Sequence, residues 1–238
     1  MTQTYTLSVF LPAYNEAENL SRVVREIEDV LAHTPAVGAY ELIVVDDGST
    51  DATTALLADL QKTIPQLRTV RHSRNLGYGS ALASGFAEAR NELVFFMDAD
   101  GQFSFRDFPV FLLALKEKDV VVGFRKSRND PSVRRLFGKC WSALVRNLLG
   151  VRARDINCAF KLMRRSALSG FAPRSSGAGI NAELLMFLEQ KGAKLAELPV
   201  QHFPRTAGVA TGLHLPVIAR AVSELLRLSV GRRNFKER

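Results

Sequence analysis

Short runs of apolar residues alternate with longer amphipathic segments through the first half of the chain. The apolar runs predict β-strands at 6–12, 41–47, 67–72, 92–98 and 119–125. Between them, apolar residues three and four positions apart predict helices at 16–33, 50–61 and 80–90. Near-continuous apolar strands joined by helical crossovers are typical of a parallel sheet covered on both faces. The pattern therefore predicts an α/β fold with a mostly parallel sheet flanked by helices.

The last segment, 213–238, combines an apolar stripe with positive charge. The residues at helical spacing are Leu215, Ile218, Val222, Leu225, Leu226 and Val230, and the cations include Arg220, Arg227, Arg232 and Arg233. This combination fits a helix at a membrane surface, and it also fits a helix packed on the sheet. The segment 136–149, which contains Trp141, has a similar character. We expect one globular domain over 1–212, followed by a basic amphipathic helix and tail over 213–238.

The composition is that of a folded soluble protein, with 47% hydrophobic and 24% charged residues among 238. Cys140 and Cys158 lack metal-ligand spacing and cannot build a disulfide framework, so we expect reduced thiols and a cytoplasmic location. The first residues do not resemble a signal peptide, and no apolar run reaches the roughly 18–20 residues of a membrane span. We expect neither feature.

Positive charge narrows the class of partner. The formal net charge is +8, with basic residues concentrated in the second half. Such a balance suits a nucleotide, a phospholipid surface or a nucleic acid. The chain has no helix-turn-helix, zinc or aromatic RNA-binding motif, so we do not expect nucleic acid as a partner.

Three predicted strands end in polar residues, within LPAYNE, VVDDGSTD and FFMDADGQF. Ligands of open α/β sheets bind beyond the carboxyl ends of the strands. The agreement among three separate segments predicts a site at that edge.

The clearest candidate is the pair Asp98 and Asp100. Side chains two positions apart in an extended segment point the same way, and two carboxylates so placed repel each other. A hard divalent cation such as Mg²⁺ or Mn²⁺ would remove the conflict, and Gln102 could add an oxygen ligand. The alternative is a solvated turn in which Gly101 makes the bend.

A second acidic pair, Asp46 and Asp47, follows the strand at 41–47. A carboxylate at a strand end can accept hydrogen bonds from a nucleobase or a ribose. The neighbours Ser49, Thr50 and Asp51 have a sufficient local role as caps of the next helix. Farther along, Gly77 and Gly79 precede a helix and would let backbone N–H groups approach a ligand closely, although such a glycine pair is also common in simple turns.

Taken together, these segments resemble the inverting glycosyltransferases of family 2, which have the GT-A fold. The matching stretches, in the family's order and spacing, are VFLPAYNEAENL, ELIVVDDGSTD, RNLGYGSALASGF and FFMDADGQF. Within that family the chain is most similar in type to polyprenyl-phosphate sugar synthases of the dolichyl-phosphate mannose synthase kind. Support for this comes from VVGFR, RRLFGKCWSALVRNLLGV, RDINCAFKLMRR and PVQHFPRTAG.

The resemblance implies a role for each matching residue. The nucleotide-sugar pocket would comprise Pro12, Tyr14, Glu16, Asp46, Asp47, Gly77 and Asp98. The DxD pair Asp98 and Asp100 would hold Mg²⁺ or Mn²⁺ and the donor diphosphate, with Gln102 as a further ligand. The acceptor phosphate would be bound by Arg125, Arg134 and Arg205. The residues expected to act in catalysis are Asp100, Arg125, Arg205 and Asp155.

The implied reaction moves a hexose from a GDP- or UDP-linked donor to a dolichyl or undecaprenyl phosphate, by an enzyme peripheral to the cytoplasmic face of the membrane. A phosphate acceptor is already an anionic nucleophile, whereas a hydroxyl acceptor would need a base, for which Asp155 and Glu183 are candidates. Each of these two acids could instead be structural. The chain departs from the family pattern at Gly138, Ala159 and 209–211, and these differences leave open a hydroxyl acceptor of a cell-envelope glycan or glycolipid.

Two other functions compete with glycosyl transfer. A nucleotide-sugar-binding module without catalysis would not require Asp98, Asp100, Arg125 and Arg205 together. A nucleotidyltransferase should show a glycine-rich phosphate loop near its N-terminus, and LPAYNEAENL is not one.

Overall fold

The computed structural model describes residues 4–126, 132–205 and 215–236, with side chains described except at 132–139, 215, 216 and 231–236. These residues form a seven-stranded sheet of β1 (Tyr5–Ala13), β2 (Val37–Asp46), β3 (Leu67–Arg71), β4 (Leu93–Met97), β5 (Val120–Arg125), β6 (Phe160–Arg164) and β7 (Leu195–Val200). The strand order is β3-β2-β1-β4-β6-β5-β7. The strand β6 is antiparallel to β4 and β5, and the other pairs are parallel. The predicted mostly parallel sheet is confirmed.

Helices connect the strands and flank the sheet. They are α1 (Ala17–Ala32), α2 (Thr53–Thr63), α3 (Tyr78–Glu88), α4 (Phe108–Ala114), α5 (Ser132–Leu149), α6 (Gly179–Gln190) and α7 (Leu215–Lys236). Two short 3₁₀ turns lie at Phe105–Asp107 and Arg165–Leu168. In α1 the buried residues recur every three or four positions, as the sequence pattern predicted, and include Leu20, Val23, Val24, Ile27 and Leu31.

The predicted elements of the first half coincide with observed ones, and the differences lie at their ends. The strand β2 begins at Val37, four residues earlier than predicted. The prediction missed this start because the first residues of β2 are exposed or only partly buried and do not form a continuous apolar run. The strand β6 was not predicted. It is five residues long and carries the charged Lys161 between apolar neighbours, so it lacks a clean apolar signal.

Three aromatic rings from α3, β1 and β4 pack together in the core. Phe10 stacks on Phe96 with ring centroids 5.3 Å apart, and Phe86 packs edge-on against both. A Cβ atom at Gly85 would lie 2.2 Å from the Phe10 ring, so the close approach of α3 requires glycine there. This packing fixes the start of α3 beside the carboxyl ends of the strands.

The carboxyl ends of the parallel strands and the start of β6 meet at one edge of the sheet. In the antiparallel pairing, Met97 at the end of β4 lies opposite Phe160 at the start of β6. The strand β5 runs antiparallel to β6, so Arg125 also reaches this edge. The acidic residues after β4 and the cationic Arg125 at the end of β5 are therefore brought to the same edge.

Candidate active site

The turns that follow β1 and β2 are hydrogen-bonded to each other. The N–H group of Asn15 donates to Ser49 Oγ at 3.0 Å, and Asn15 Oδ1 accepts from the N–H of Thr50 at 2.8 Å. Asn15 has a φ of 57°, a conformation that asparagine tolerates better than most residues. Of the three predicted helix caps, Asp51 accepts a hydrogen bond from the N–H of Thr53 at the start of α2. Ser49 and Thr50 instead join the two turns.

Asp46 is completely buried at the end of β2. Its Oδ1 accepts from the N–H of Ser49 at 2.8 Å, its Oδ2 accepts from Thr54 Oγ1 at 2.7 Å, and Arg71 Nε lies 3.7 Å away. Pro12 is buried on β1 next to this strand, and Tyr14 is exposed just beyond it. The carboxylate of Asp46 thus shapes the turn, and its contact with a nucleoside stays a prediction.

Asp47 organises the segment that leads into α3. Its Oδ1 accepts from the N–H of Leu76 and its Oδ2 from the N–H of Gly77, both at 2.9 Å. His72 Nδ1 lies 2.6 Å from Asp47 Oδ1, and His72 Nε2 lies 2.9 Å from Ser84 Oγ. His72 was not predicted as a site residue, because its partners come from distant segments. Asp47 therefore positions the glycine turn at the edge of the site.

Gly77 connects this turn to the loop before α6. It has a φ of 101°, and a Cβ atom there would lie 2.7 Å from the carbonyl oxygen of Ser176. The N–H of Gly79 donates to that same oxygen at 2.9 Å. Gly77 and Gly79 are thus needed for close backbone packing, which is a structural reason for the pair.

Asp98 lies directly after β4 and carries an unsatisfied polar atom. Its Oδ1 is buried and makes no hydrogen bond within the described part of the chain. Burial, followed by the nearby Asp100 carboxylate, raises the pKa of Asp98 from 3.8 to about 7, while the Tyr78 hydroxyl and Lys161 oppose the shift. The predicted conflict between Asp98 and Asp100 is therefore present in the fold.

Asp100 lies among polar contacts that connect Glu16, near the start of the chain, with Arg205, near its end. Asp100 Oδ1 accepts from the N–H of Gln102 at 3.0 Å, and Arg205 Nη1 lies 4.0 Å from Asp100 Oδ2. The Arg205 guanidinium also donates to Glu16. Gln102 holds the segment before Arg205, because its Nε2 donates to the carbonyl of Phe203 at 3.1 Å. Burial raises the pKa of Glu16, although Asn19 and Arg205 favour its charged form.

Arg125 and Asp155 form an ion pair beside the acids. Arg125 Nε donates to Asp155 Oδ2 at 2.6 Å, and Arg125 Nη2 donates to Asp155 Oδ1 at 2.8 Å. The sequence left Asp155 as either a catalytic base or a structural residue, and this contact favours the structural role. Arg134 lies in α5 at a position whose side chain is outside the described residues.

Two residues that act on the pKa of Asp98, Lys161 and Tyr78, were not predicted as part of the site. Lys161 is fully buried on β6, and its Nζ donates to Asn181 Oδ1 at 2.8 Å. The Tyr78 hydroxyl and the Lys161 ammonium both oppose the rise in the pKa of Asp98. A lysine within the apolar stretch AFKLM is a signal that could have drawn attention to this position.

The acid pair is suited to a divalent cation. The buried Oδ1 of Asp98 lacks a partner among the described residues, and the two carboxylates repel each other. No cluster of three or more His, Cys, Asp or Glu residues in the described ranges could hold a metal ion. Mg²⁺ commonly takes one or two carboxylates together with substrate phosphates and water, so a diphosphate would complete the ligand set.

The helix α7 is fastened to the loop before α6. The buried Glu224 accepts hydrogen bonds from the N–H groups of Ser176 and Gly177 at 3.0 and 2.9 Å, and from Gly179 at 3.2 Å. Glu183 of α6 holds the preceding residues through the N–H groups of Arg174 and Ser175, both at 2.9 Å. The contacts of Glu183 give that residue a structural role. The contacts of Glu224 place the predicted amphipathic helix on the core.

The helix α7 also leaves apolar surface uncovered. Its exposed apolar side chains are Val222, Leu226 and Val230. A cavity of about 650 Å³ between α6 and α7 contains none of the strand-end acids. No helix among the residues that the structure describes has the length and apolar character needed to cross a bilayer.

Comparisons with known proteins agree with the geometry. A family model described as glycosyl transferase family 2 matches residues 8–171. The chain is 30% identical over 221 residues to a dodecaprenyl-phosphate galacturonate synthase of Rhizobium johnstonii, covering 87% of this chain and 62% of that protein. It is 30% identical over 211 residues to a dolichol-phosphate mannosyltransferase of Pyrococcus furiosus, covering 85% and 58%. The chain therefore spans less than two thirds of the length of these relatives.

Solved structures show the same fold. Glucosyl-3-phosphoglycerate synthase from Mycobacterium tuberculosis, in complex with Mn²⁺, uridine diphosphate and glucosyl-3-phosphoglycerate, matches with a TM-score of 0.67 and 23% identity. The match covers 94% of this chain and 79% of that one. At this identity the likeness supports the architecture alone.

Proposed function

The chain belongs to glycosyl transferase family 2 and has the GT-A fold, and on this premise we propose that it transfers a hexose from a nucleoside-diphosphate sugar to a polyprenyl phosphate. The observation that carries the proposal is the meeting of Asp98 and Asp100 with Arg125 and Arg205 at one sheet edge. An acid pair with cations beside it is suited to a metal–diphosphate donor and an anionic acceptor.

On the donor side, the leaving nucleoside diphosphate gathers negative charge as the glycosidic bond breaks. When bound, Mg²⁺ or Mn²⁺ would neutralise part of that charge. Asp98 and Asp100 would hold the ion, because the buried Oδ1 of Asp98 has no hydrogen-bond partner among the described residues. Arg205 would exchange Glu16 for a diphosphate oxygen, because a charge-assisted hydrogen bond to a developing negative charge lowers the barrier.

The nucleoside would lie over the ends of β1 and β2, in a pocket that includes Pro12, Tyr14 and Glu16. Asp46 and the turn at Gly77 would form its floor, with Asp47 holding that turn in place.

On the acceptor side, a phosphate monoester fits the engagement of both acids considered as bases, Asp155 and Glu183, in other contacts. Both oxygens of Asp155 bind Arg125, and both oxygens of Glu183 accept backbone N–H groups. An anionic phosphate needs no proton removed before it attacks. Arg125, with Arg134 and Arg205 as further candidates, would balance its charge. Relatives named for dodecaprenyl phosphate and dolichol phosphate support this acceptor class.

A lipid acceptor places the enzyme at a membrane surface. The exposed Leu226 and Val230 of α7, with the net charge of +8, support peripheral contact with an anionic bilayer. We place the catalytic unit over 1–212 and the surface-contacting helix over 213–238.

The test is transfer of labelled sugar from UDP-, GDP- and dTDP-linked donors to undecaprenyl phosphate in the presence of Mn²⁺. We expect label in an organic-extractable product. A thermal-shift screen of the same donors would identify the nucleotide independently of the acceptor. Transfer only to a soluble hydroxyl acceptor would overturn the lipid assignment and leave the family reaction intact.

A further inference from the structure

The turn at Gly77 is held from two sides. On the sheet side, Asp47 accepts hydrogen bonds from the N–H groups of Leu76 and Gly77, both at 2.9 Å. On the other side lies the carbonyl oxygen of Ser176, which accepts from the N–H of Gly79 at 2.9 Å. A Cβ atom at Gly77 would lie 2.7 Å from that same oxygen, so the turn and the loop before α6 are in close contact. The position of the turn therefore depends on where this loop lies.

Glu224 of α7 holds three backbone groups of the loop. Its buried carboxylate accepts through Oε1 from the N–H groups of Ser176 and Gly177 at 3.0 and 2.9 Å, and through Oε2 from that of Gly179 at 3.2 Å. Hydrogen bonds to an ionised acceptor are stronger than those between neutral groups. The helix α7 thus determines the position of the Ser176 carbonyl, which in turn contacts the Gly77 turn.

Arg220, one helical turn before Glu224, contacts both parts. Its guanidinium donates to Ser176 Oγ, and a Cβ atom at Gly77 would lie 3.3 Å from its Nη1. Its Nε lies 3.5 Å from Glu224 Oε1. Two charged side chains of α7 therefore meet the loop and the turn at the same place.

We propose that Glu224 is a positioning residue of the donor site, which acts through the Ser176 carbonyl to fix the Gly77 turn for a nucleoside diphosphate. The inference rests on the proposed function, in which this turn forms part of the nucleotide pocket. Glu224 need not touch the donor, since both of its carboxylate oxygens are engaged by backbone N–H groups. The helix α7 then belongs to the donor site as well as to the surface proposed to meet the membrane.

A purely structural role for Glu224 makes a different prediction. In that case its hydrogen bonds would only fasten α7 to the core. Their loss would lower the free energy of unfolding but leave the affinity of the folded protein for a nucleotide unchanged. Affinity measured at a temperature where every variant is folded therefore separates the two roles.

The experiment measures binding of UDP and GDP to the full chain by calorimetric titration in the presence of Mn²⁺. Glu224→Gln keeps the size of the side chain but turns an NH₂ group toward N–H groups that need an acceptor. The matched control is Glu41→Gln, since Glu41 accepts the N–H of Arg90 at 2.9 Å just before β4, at the opposite edge of the sheet. We expect both changes to lower the melting temperature. We expect only Glu224→Gln to weaken nucleotide binding, by about 3- to 30-fold, a range typical of residues that act on a site through intervening contacts. Nucleotide affinity of Glu224→Gln within about twofold of wild type would overturn the inference, as would an equal loss in the control.

Hydrogen exchange of the wild-type protein provides a measurement that needs no variant. A ligand slows the local opening of every segment on which its site depends. The nucleotide that binds should therefore slow amide exchange in segments 74–80 and 174–180 together, although no contact with the nucleotide is proposed for the second segment. Slowing confined to 74–80 would overturn the inference, and this result decides the matter if Glu224→Gln does not fold. Failure of the wild-type protein to bind either nucleotide would instead overturn the proposed donor pocket, and the inference with it.

Discussion

Arg125 and Asp155 form a two-point ion pair, with Nε 2.6 Å from Oδ2 and Nη2 2.8 Å from Oδ1. The contact joins the end of β5 to the loop before β6 and places the guanidinium beside Asp98. A carboxylate engaged by an arginine at both oxygens is a poor proton acceptor, because the positive charge favours its ionised form. Asp155 is therefore better suited to orient Arg125 than to act as a base.

Replacing Asp155 with Asn should reduce transfer by about 10-fold or more without changing the pH dependence of the remaining activity. Asn cannot hold Arg125 by two charge-assisted hydrogen bonds, so the cation loses its orientation. Asp119→Asn is a matched control, since Asp119 accepts a backbone N–H group at the opposite edge of the sheet. Loss of the acidic limb of the pH profile in the remaining transfer of Asp155→Asn would show that Asp155 is the base after all.

Replacing Asp100 with Ala should abolish transfer while leaving the protein folded. A metal clamp contributes several kcal/mol to charge stabilisation, so we expect at least about a 100-fold loss. The fold should tolerate the change because it removes a repelling carboxylate at the edge of the sheet, where Asp100 contacts the N–H of Gln102 and the Arg205 guanidinium. Activity of the wild type should disappear with a chelator and return with Mg²⁺ or Mn²⁺. Full activity of Asp100→Ala in chelator-treated buffer would contradict the assignment.

Replacing Asp46 with Ala should weaken binding of the free nucleoside diphosphate and of the full donor by similar factors. Asp46 lies at the predicted nucleoside end of the pocket, distant from the sugar. Because its carboxylate also holds Ser49 and Thr54, the variant should lose stability, with about 1–3 kcal/mol expected for unpaired buried partners. Calorimetric titration of both ligands at a temperature where the variant is folded separates the effects. Unchanged affinity for the nucleoside diphosphate would rule out the contact.

Replacing Glu224 with Ala should destabilise the protein by about 1–3 kcal/mol, because three backbone N–H groups before α6 lose their acceptor. Urea unfolding measures the change. Leu226→Ala provides the control, since that side chain lies on the same helix and is exposed. Equal stability of the two variants would mean that α7 does not dock on the loop as the structure shows.

The sequence predicted the parts of the fold and site that depend on local pattern. Continuous apolar runs located β1, β4 and β5, because strands buried on both faces have few polar interruptions. Asp98 and Asp100 stood out because charge is unexpected at the end of such a run. The buried contact of Lys161 with Asn181 could not be predicted, since the two residues come from β6 and α6, which meet only when the antiparallel β6 enters the sheet.

The packing of α7 determines how membrane contact should be tested. Deleting 213–238 would remove Glu224 together with Leu225, which is 1% exposed, so loss of vesicle binding would be confounded by loss of stability. Leu226 and Val230 are 54% and 63% exposed on the same helix and can be changed without disturbing the core.

We expect Leu226→Asp and Val230→Asp to reduce binding to vesicles that contain phosphatidylglycerol, because each change places a charge on the surface that would enter the interface. Co-sedimentation measures binding, and Leu113→Asp on α4 is the control because Leu113 is 64% exposed on a different helix. Wild-type binding should weaken as salt rises, since the screening length shortens to about 3 Å at 1 M. Equal vesicle binding by the α7 variants, the control and the wild type would show that α7 serves the fold and that the lipid acceptor reaches Arg125 and Arg205 by another surface.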